Sequence, residues 1–129
     1  MTTDAVDRQA AAVSVRPGAW ERVCPLDRLT PDRGAVALVR GRQAALFRLS
    51  SGEVYALGNR DPFSGANVLS RGIVGDRAGV PKVASPVYKQ SFDLRTGACL
   101  DEAGVAVPSY PVRVEEDGWV AVAVPEDGR

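Results

Sequence analysis

The chain has no histidine. That absence removes Ser-His-Asp and Cys-His nucleophilic systems and any imidazole ligand for a metal. Cysteine is scarce: Cys24 and Cys99 are the two. Two thiols without an imidazole do not close a conventional zinc site. In a domain expected to be cytoplasmic they read as reduced, partly buried thiols rather than a disulfide. Net charge is lacking too, since sixteen basic residues meet sixteen acidic ones. A nucleic-acid binder needs a net basic footprint, and a protein drawn to anionic lipid needs a polybasic one. No apolar run approaches the roughly 18 residues of a membrane-crossing helix. The N-terminus lacks the positive charge and long apolar stretch of a signal peptide, because Asp4, Asp7 and Arg8 precede only three alanines at 10–12. Residues 1–17 are therefore expected to form a mobile tail on a cytoplasmic protein. No internal repeat, G-x-G-x-x-G or P-loop occurs, and the carboxylates fall mainly at turns and tails, where they read as solvated.

What is present suits one globular domain. Apolar residues make up 45% of 129, enough for one real core. Short apolar stretches alternate with glycine-containing turns, the pattern of an antiparallel meander. Strands are predicted at 20–23, 34–39, 43–49, 54–57, in a hairpin within 73–84 turning at Asp76-Arg77-Ala78-Gly79, and at 92–94, 98–100, 112–114 and 119–124. A short helical turn is predicted at 24–29. Val54 and Ala56 should face one way and Tyr55 and Leu57 the other. The domain is drawn over 18–125, with a C-terminal tail at 126–129. Residues 61–72 break the meander as a long loop, and such loops are usually functional. Asp61 ahead of Pro62 can cap a brief turn there.

A second loop reads Ser85-Pro86-Val87-Tyr88-Lys89-Gln90-Ser91-Phe92-Asp93-Leu94-Arg95-Thr96-Gly97. It resembles the C-P-x-H-x-x-x-F-D-x-x-T-G loop of Rieske iron–sulfur proteins. Pro86, Phe92, Asp93, Thr96 and Gly97 are retained, as a turn, a core anchor and a positive-φ corner. Ser85 replaces the cysteine and Tyr88 the histidine. The first loop, C-x-H in that family, aligns with Asn59-Arg60-Asp61. A Rieske cluster needs two thiolates and two imidazoles. The resemblance therefore implies an all-β, Rieske-like antiparallel β-sandwich, with a smaller loop subdomain carrying two degenerate cluster loops and binding no cofactor itself.

The span from Trp20 to Val124 is more specifically similar to the small subunit of assimilatory NADH-dependent nitrite reductase. The pieces that carry this are Ala44–Arg48, Val54–Ser64, Val68–Asp76 and Ala84–Gly97. The resemblance implies a companion to a large subunit that bears flavin (FAD), siroheme and an iron–sulfur cluster and reduces nitrite to ammonium. A Rieske-type electron-transfer protein and an unrelated binding module on the same fold are the alternatives.

No catalytic residue is expected in this chain. Asn59, Asp61, Ser85 and Tyr88 are expected to tie the two loops together by hydrogen bonds, with Asp61 as the acceptor for the Tyr88 phenol unless capping occupies it. Arg60, Phe63, Val68, Leu69, Arg71 and Lys89 are candidates for a partner interface. For Phe63, Val68 and Leu69 the other reading is packing beneath their own loop, and for the three cations it is plain solvation.

Overall fold

The computed structural model describes residues 20–124; the expected tails at 1–17 and 126–129 lie outside them. Ten strands form three antiparallel sheets. The central sheet contains β2 (Arg33–Val39), β3 (Arg42–Arg48), β4 (Val54–Gly58) and β8 (Ser109–Tyr110), in that order. On one side lies the sheet of β1 (Trp20–Pro25), β10 (Trp119–Ala123) and β9 (Val112–Val114). On the other lies the sheet of β5 (Ile73–Arg77), β6 (Val80–Ala84) and β7 (Ser91–Asp93). The described residues contain no α-helix, only single 3-10 turns at Leu26–Arg28 and Leu69–Arg71.

The strand period of two builds this architecture. Val54 and Ala56 of β4, with Ala44 and Leu46 of β3, enter one core with Val112, Val120 and Val122. Leu57, with Ala45 and Phe47, enters a second core with Val83, Phe92 and Leu94, and Tyr55 packs against it. The predicted alternation along 54–57 therefore marks a strand packed on both faces, whereas Val36 and Leu38 of the edge strand β2 are exposed. Both cysteines are free: Cys24 packs against the first core and Cys99 sits in the second. Burial pushes the Cys24 thiol up, only partly offset by Arg28, and so disfavours its thiolate.

The outer face of the β1–β10–β9 sheet is covered by its own side chains. The Arg22 guanidinium lies 4.8 Å from the Trp119 ring centroid and that of Arg113 lies 4.3 Å from Trp20. Arg22 also pairs with Glu115 and Asp117.

The retained F-D-x-x-T-G stretch is a turn with a structural task. Phe92 is fully buried. The Asp93 carboxylate accepts the Arg95 amide at 2.8 Å and holds the Arg95 guanidinium through Nε at 3.1 Å and Nη2 at 3.0 Å. Burial pushes the Asp93 carboxyl upward, but these bonds outweigh it and hold it below the usual range. Gly97 closes the turn at φ +84°, and a Cβ there would stand 2.1 Å from the Val107 carbonyl oxygen. Gly79, in the tip of the β5–β6 hairpin, has φ +88° but open space around it.

That pair gives a controlled test. Gly97→Ala and Gly79→Ala carry the same left-handed backbone penalty. Gly97→Ala must also displace Val107, and is expected to cost about 2 kcal/mol more. Urea melts of the two variants measure the difference; equal costs would mean that residues 106–108 yield freely.

Candidate functional site at the loop end

Two loops meet at one end of the domain: residues 59–72, leaving β4, and residues 85–90, joining β6 to β7. Asn59 is 3% exposed and Asp61 is fully buried. The Asn59 amide donates to Gln43 Oε1 at 2.9 Å and to the Asn67 carbonyl at 3.1 Å, and its Oδ1 accepts the Ser70 amide at 2.8 Å. Every polar atom of that side chain is thus engaged in closing the first loop onto β3.

Asp61 joins the loops. Its Oδ1 accepts the Phe63 amide at 2.9 Å, which makes it the cap of the turn at 62–64. Its Oδ2 accepts the Ser64 hydroxyl at 3.1 Å and, across the gap, the Ser85 hydroxyl at 2.6 Å. Each hydroxyl in turn accepts a backbone amide two residues on, from Ala66 and Val87 respectively. Burial alone would raise the Asp61 carboxyl, but the bonds from Ser85, the Phe63 amide and Ser64 win and hold it below the usual carboxylate range.

The expected Tyr88–Asp61 bond is not formed. Tyr88 is 60% exposed and Asp61 is filled by Ser85, Ser64 and the Phe63 amide. The reason lies in the second loop itself. Ser85 donates its amide to the Gln90 carbonyl, and Lys89, at φ +70°, donates its own to the Ser85 carbonyl. This tight closure leaves Ser85 buried while Pro86, Val87, Tyr88 and Lys89 are exposed. For Leu69 the reading of packing beneath its own loop holds, and it leaves the candidate interface. It is fully buried in the second core, because the 3-10 turn at Leu69–Arg71 folds it under the loop, so it is no surface anchor. Phe63 packs against the same core, its ring 6.3 Å from that of Phe92, and is half-buried. Val68 is half-buried; Arg60, Arg71 and Lys89 are exposed.

A family described as the Rieske-like [2Fe-2S] domain matches residues 19–123. The nitrite reductase (NADH) small subunit of Salmonella typhimurium is 41% identical over 98 residues, covering 75% of this chain and 91% of that one. A crystal structure assigned to the NADH-dependent nitrite reductase small subunit of Mycobacterium tuberculosis superposes with a TM-score of 0.80 at 53% identity, over 82% of this chain and 95% of that one. The chain belongs to the nitrite reductase small-subunit branch of the Rieske-like family. A segment of the NAD(P)H nitrite reductase large subunit of Klebsiella oxytoca is also 47% identical over 110 residues, 84% of this chain. This chain spans only 11% of that protein's length.

The family description names a cluster, and the residues here do not fit one. The four positions that hold it in Rieske proteins carry an amide, a carboxylate, a hydroxyl and a phenol, whereas the cluster selects thiolate and imidazole. Asn59 is saturated by hydrogen bonds, and Asp61 and Ser85 are spent on each other. The two thiols of this small-subunit homologue lie in separate cores. Among the described residues no group of three or more Cys, Asp or Glu is placed to hold a metal ion.

The Ser85–Asp61 bond has measurable consequences. Ser85→Ala leaves a buried carboxylate short of one donor and should cost about 2 kcal/mol. Tyr88→Phe should stay within about 0.5 kcal/mol. A double-mutant cycle of Ser85→Ala with Asp61→Asn should show coupling; additivity would mean that packing alone holds the loops. The pH dependence follows from the sign of the shift. The folded carboxyl lies below its unfolded value of about 4, so its stabilisation is complete above that value and is lost as pH falls through the folded one. The stability gap between wild type and Asp61→Asn should therefore narrow in acid, as denaturant melts at pH 7 and pH 3 would show.

Proposed function

We propose that this chain is the non-catalytic small subunit of an NADH-dependent nitrite reductase, docking on the large subunit and supporting or regulating it, and carrying no cluster of its own. The observation that carries the reading is the Klebsiella match: the same domain lies within a chain named as the large subunit. In Salmonella the domain is instead named as the small subunit, and this chain covers nearly its whole length. A domain joined covalently to the rest of the enzyme in one relative has to find it by non-covalent contact in the other. FAD, siroheme and an iron–sulfur cluster belong, on this reading, to the large subunit. Among the described residues no helix is long and apolar enough to cross a membrane.

The loop end is the proposed docking surface. Its two loops carry three cations, Arg60, Arg71 and Lys89, and a single acid, Asp61, which is buried. None of the three cations belongs to an ion pair found among the described residues, which use Arg22, Arg77, Arg95 and Arg113. Val87 and Tyr88 beside them are 43% and 60% exposed. Apolar contact ringed by charge is the usual anatomy of an interface. These two side chains take the anchoring role that Leu69 cannot, with Phe63 and Val68 contributing their exposed edges. The outer face of the β1–β10–β9 sheet already has its tryptophans covered by arginines, while the other exposed large apolar residues, Val36 and Leu38 of β2 and Ile73 of β5, lie on strands rather than at the loop tips.

Two experiments test this. Protein purified anaerobically should be colourless and lack stoichiometric iron and acid-labile sulfide; their presence would restore the electron-transfer reading. Arg71→Glu and Tyr88→Asp should each weaken binding to the large subunit at least tenfold, about 1.4 kcal/mol, while the domain stays folded. Added salt should shrink the Arg71→Glu effect. Calorimetry with the purified large subunit checks this, and unchanged affinity in both variants would move the interface elsewhere.

A further inference from the structure

Beside the first loop lies an open cleft of about 720 Å³ between the start of β3, the end of β4 and the segment before β8. Two arginines, Arg42 and Arg60, line it, together with Asn67, Pro62, Pro108 and Tyr110, and no acidic side chain does. Arg42 Nε and Nη2 are shut off from solvent and have no hydrogen-bond partner among the described residues. Two donors of one guanidinium edge left desolvated and unpaired are costly, although the residue as a whole is only half-buried, and a ligand on that edge would relieve the penalty.

The geometry points to a carboxylate-binding site in this cleft, gripped by the Nε/Nη2 edge of Arg42 with Arg60 as the second cation. The molecule itself shows what that edge does when satisfied. Arg95 uses the same two nitrogens, at 3.1 and 3.0 Å, to hold both oxygens of Asp93. Two parallel N–H groups match the two oxygens of a carboxylate, and a spherical anion such as chloride does not offer that match. Reaching the edge requires the Arg42 side chain to turn towards the cleft, and no hydrogen bond on those nitrogens opposes the turn. The cleft is far larger than one small ion, so a carboxylate can enter with the chain that carries it. The source is either a free small carboxylate or an acidic side chain of a protein. The inference does not depend on the docking proposed above and is tested on this chain alone.

The test follows the Arg42 Nε–H resonance by nitrogen-15 NMR on the full chain. One arm adds sodium acetate, the other a hexaglutamate peptide, each against sodium chloride at matched ionic strength. A saturable shift of that resonance beyond the chloride control is expected in at least one arm, weakened at least fivefold by Arg60→Gln. Saturation with acetate identifies a small-carboxylate site; saturation with the peptide alone identifies recognition of acidic protein side chains. Arg42→Gln should abolish saturable shifts at Asn67 and Tyr110. If Arg42→Gln does not fold, the direct Nε–H signal and Arg60→Gln still decide. No shift beyond chloride in either arm, or an unchanged response in Arg42→Gln, overturns the site and leaves Arg42 solvated by trapped water.

Discussion

The burial of β3 and β4 on both faces of the central sheet organises everything else in this domain. β3 and β4 lie in the interior of that sheet, and each must send apolar side chains both ways. Ala44 and Leu46 go to one core, and Ala45 and Phe47 to the other. A one-residue slip of β3 against β4 would exchange the two sets, placing Phe47 where Leu46 fits. The register Leu46↔Ala56 and Phe47↔Tyr55 is therefore specified twice, once by each core. Fixing β4 fixes Gly58 and Asn59 at its end, and with them the start of the first loop. The loop end is held in place by packing behind it before any loop contact is made.

With that frame set, few bonds are needed between the loops. In a cluster-binding relative the metal cross-links them. Here a single buried hydrogen bond, Ser85 to Asp61, spans the same gap. Its contribution is on the order of 2 kcal/mol, because the acceptor is charged and dry. That is modest beside the burial of Phe47, Phe92, Leu57 and Leu69, each worth about 2–3 kcal/mol when fully enclosed. The packing therefore stabilises, while the bond sets the relative position of two short loops. Asn59 acts within the first loop only, engaging Gln43, Asn67 and Ser70. Of the four positions aligned with Rieske ligands, Asn59, Asp61 and Ser85 are engaged in internal hydrogen bonds and Tyr88 is exposed.

The sequence was informative wherever a pattern repeats locally. Alternation along 54–57 revealed a two-faced strand, and the glycine turns placed the hairpins within a residue or two. The capping role of Asp61 before Pro62 was also legible, since a side chain reaching an amide two residues on is a local matter. What was not legible depended on the sense in which a loop closes. The identity of the donor to Asp61, Ser85 rather than Tyr88, follows from the tight closure of 85–90 around Lys89 at positive φ. No composition rule announces that a lysine will adopt that backbone. For Leu69 two readings stood open, anchor or packing beneath the loop, and only the fold chooses the second. An apolar residue in a long polar loop looks like a surface anchor until a 3-10 turn rotates it inward. Nothing in the sequence marks Arg42, because an arginine after a glycine turn reads as solvated and only the tertiary fold encloses its Nε and Nη2 without partners.

With Leu69 buried, the exposed apolar area of the loop end lies on the second loop, at Val87 and Tyr88, rather than on the first. The cations remain on both. Arg60 borders the Arg42 cleft as well as the loop end, so the two features form one continuous basic margin around a small apolar tip. The chain as a whole is neutral, so this margin must be balanced elsewhere. Asp32, Glu53 and Asp76 supply part of that balance around a second cleft, near the hairpin tip of β5 and β6. A neutral protein with charge separated in this way carries an orienting field although it has no net one. On the docking proposed above, such a field would favour approach of an acidic surface to the loop end over approach to the second cleft, where a single cation, Arg95, stands beside the three acids. Charge position would then select the docking face before packing determines how tightly it is held.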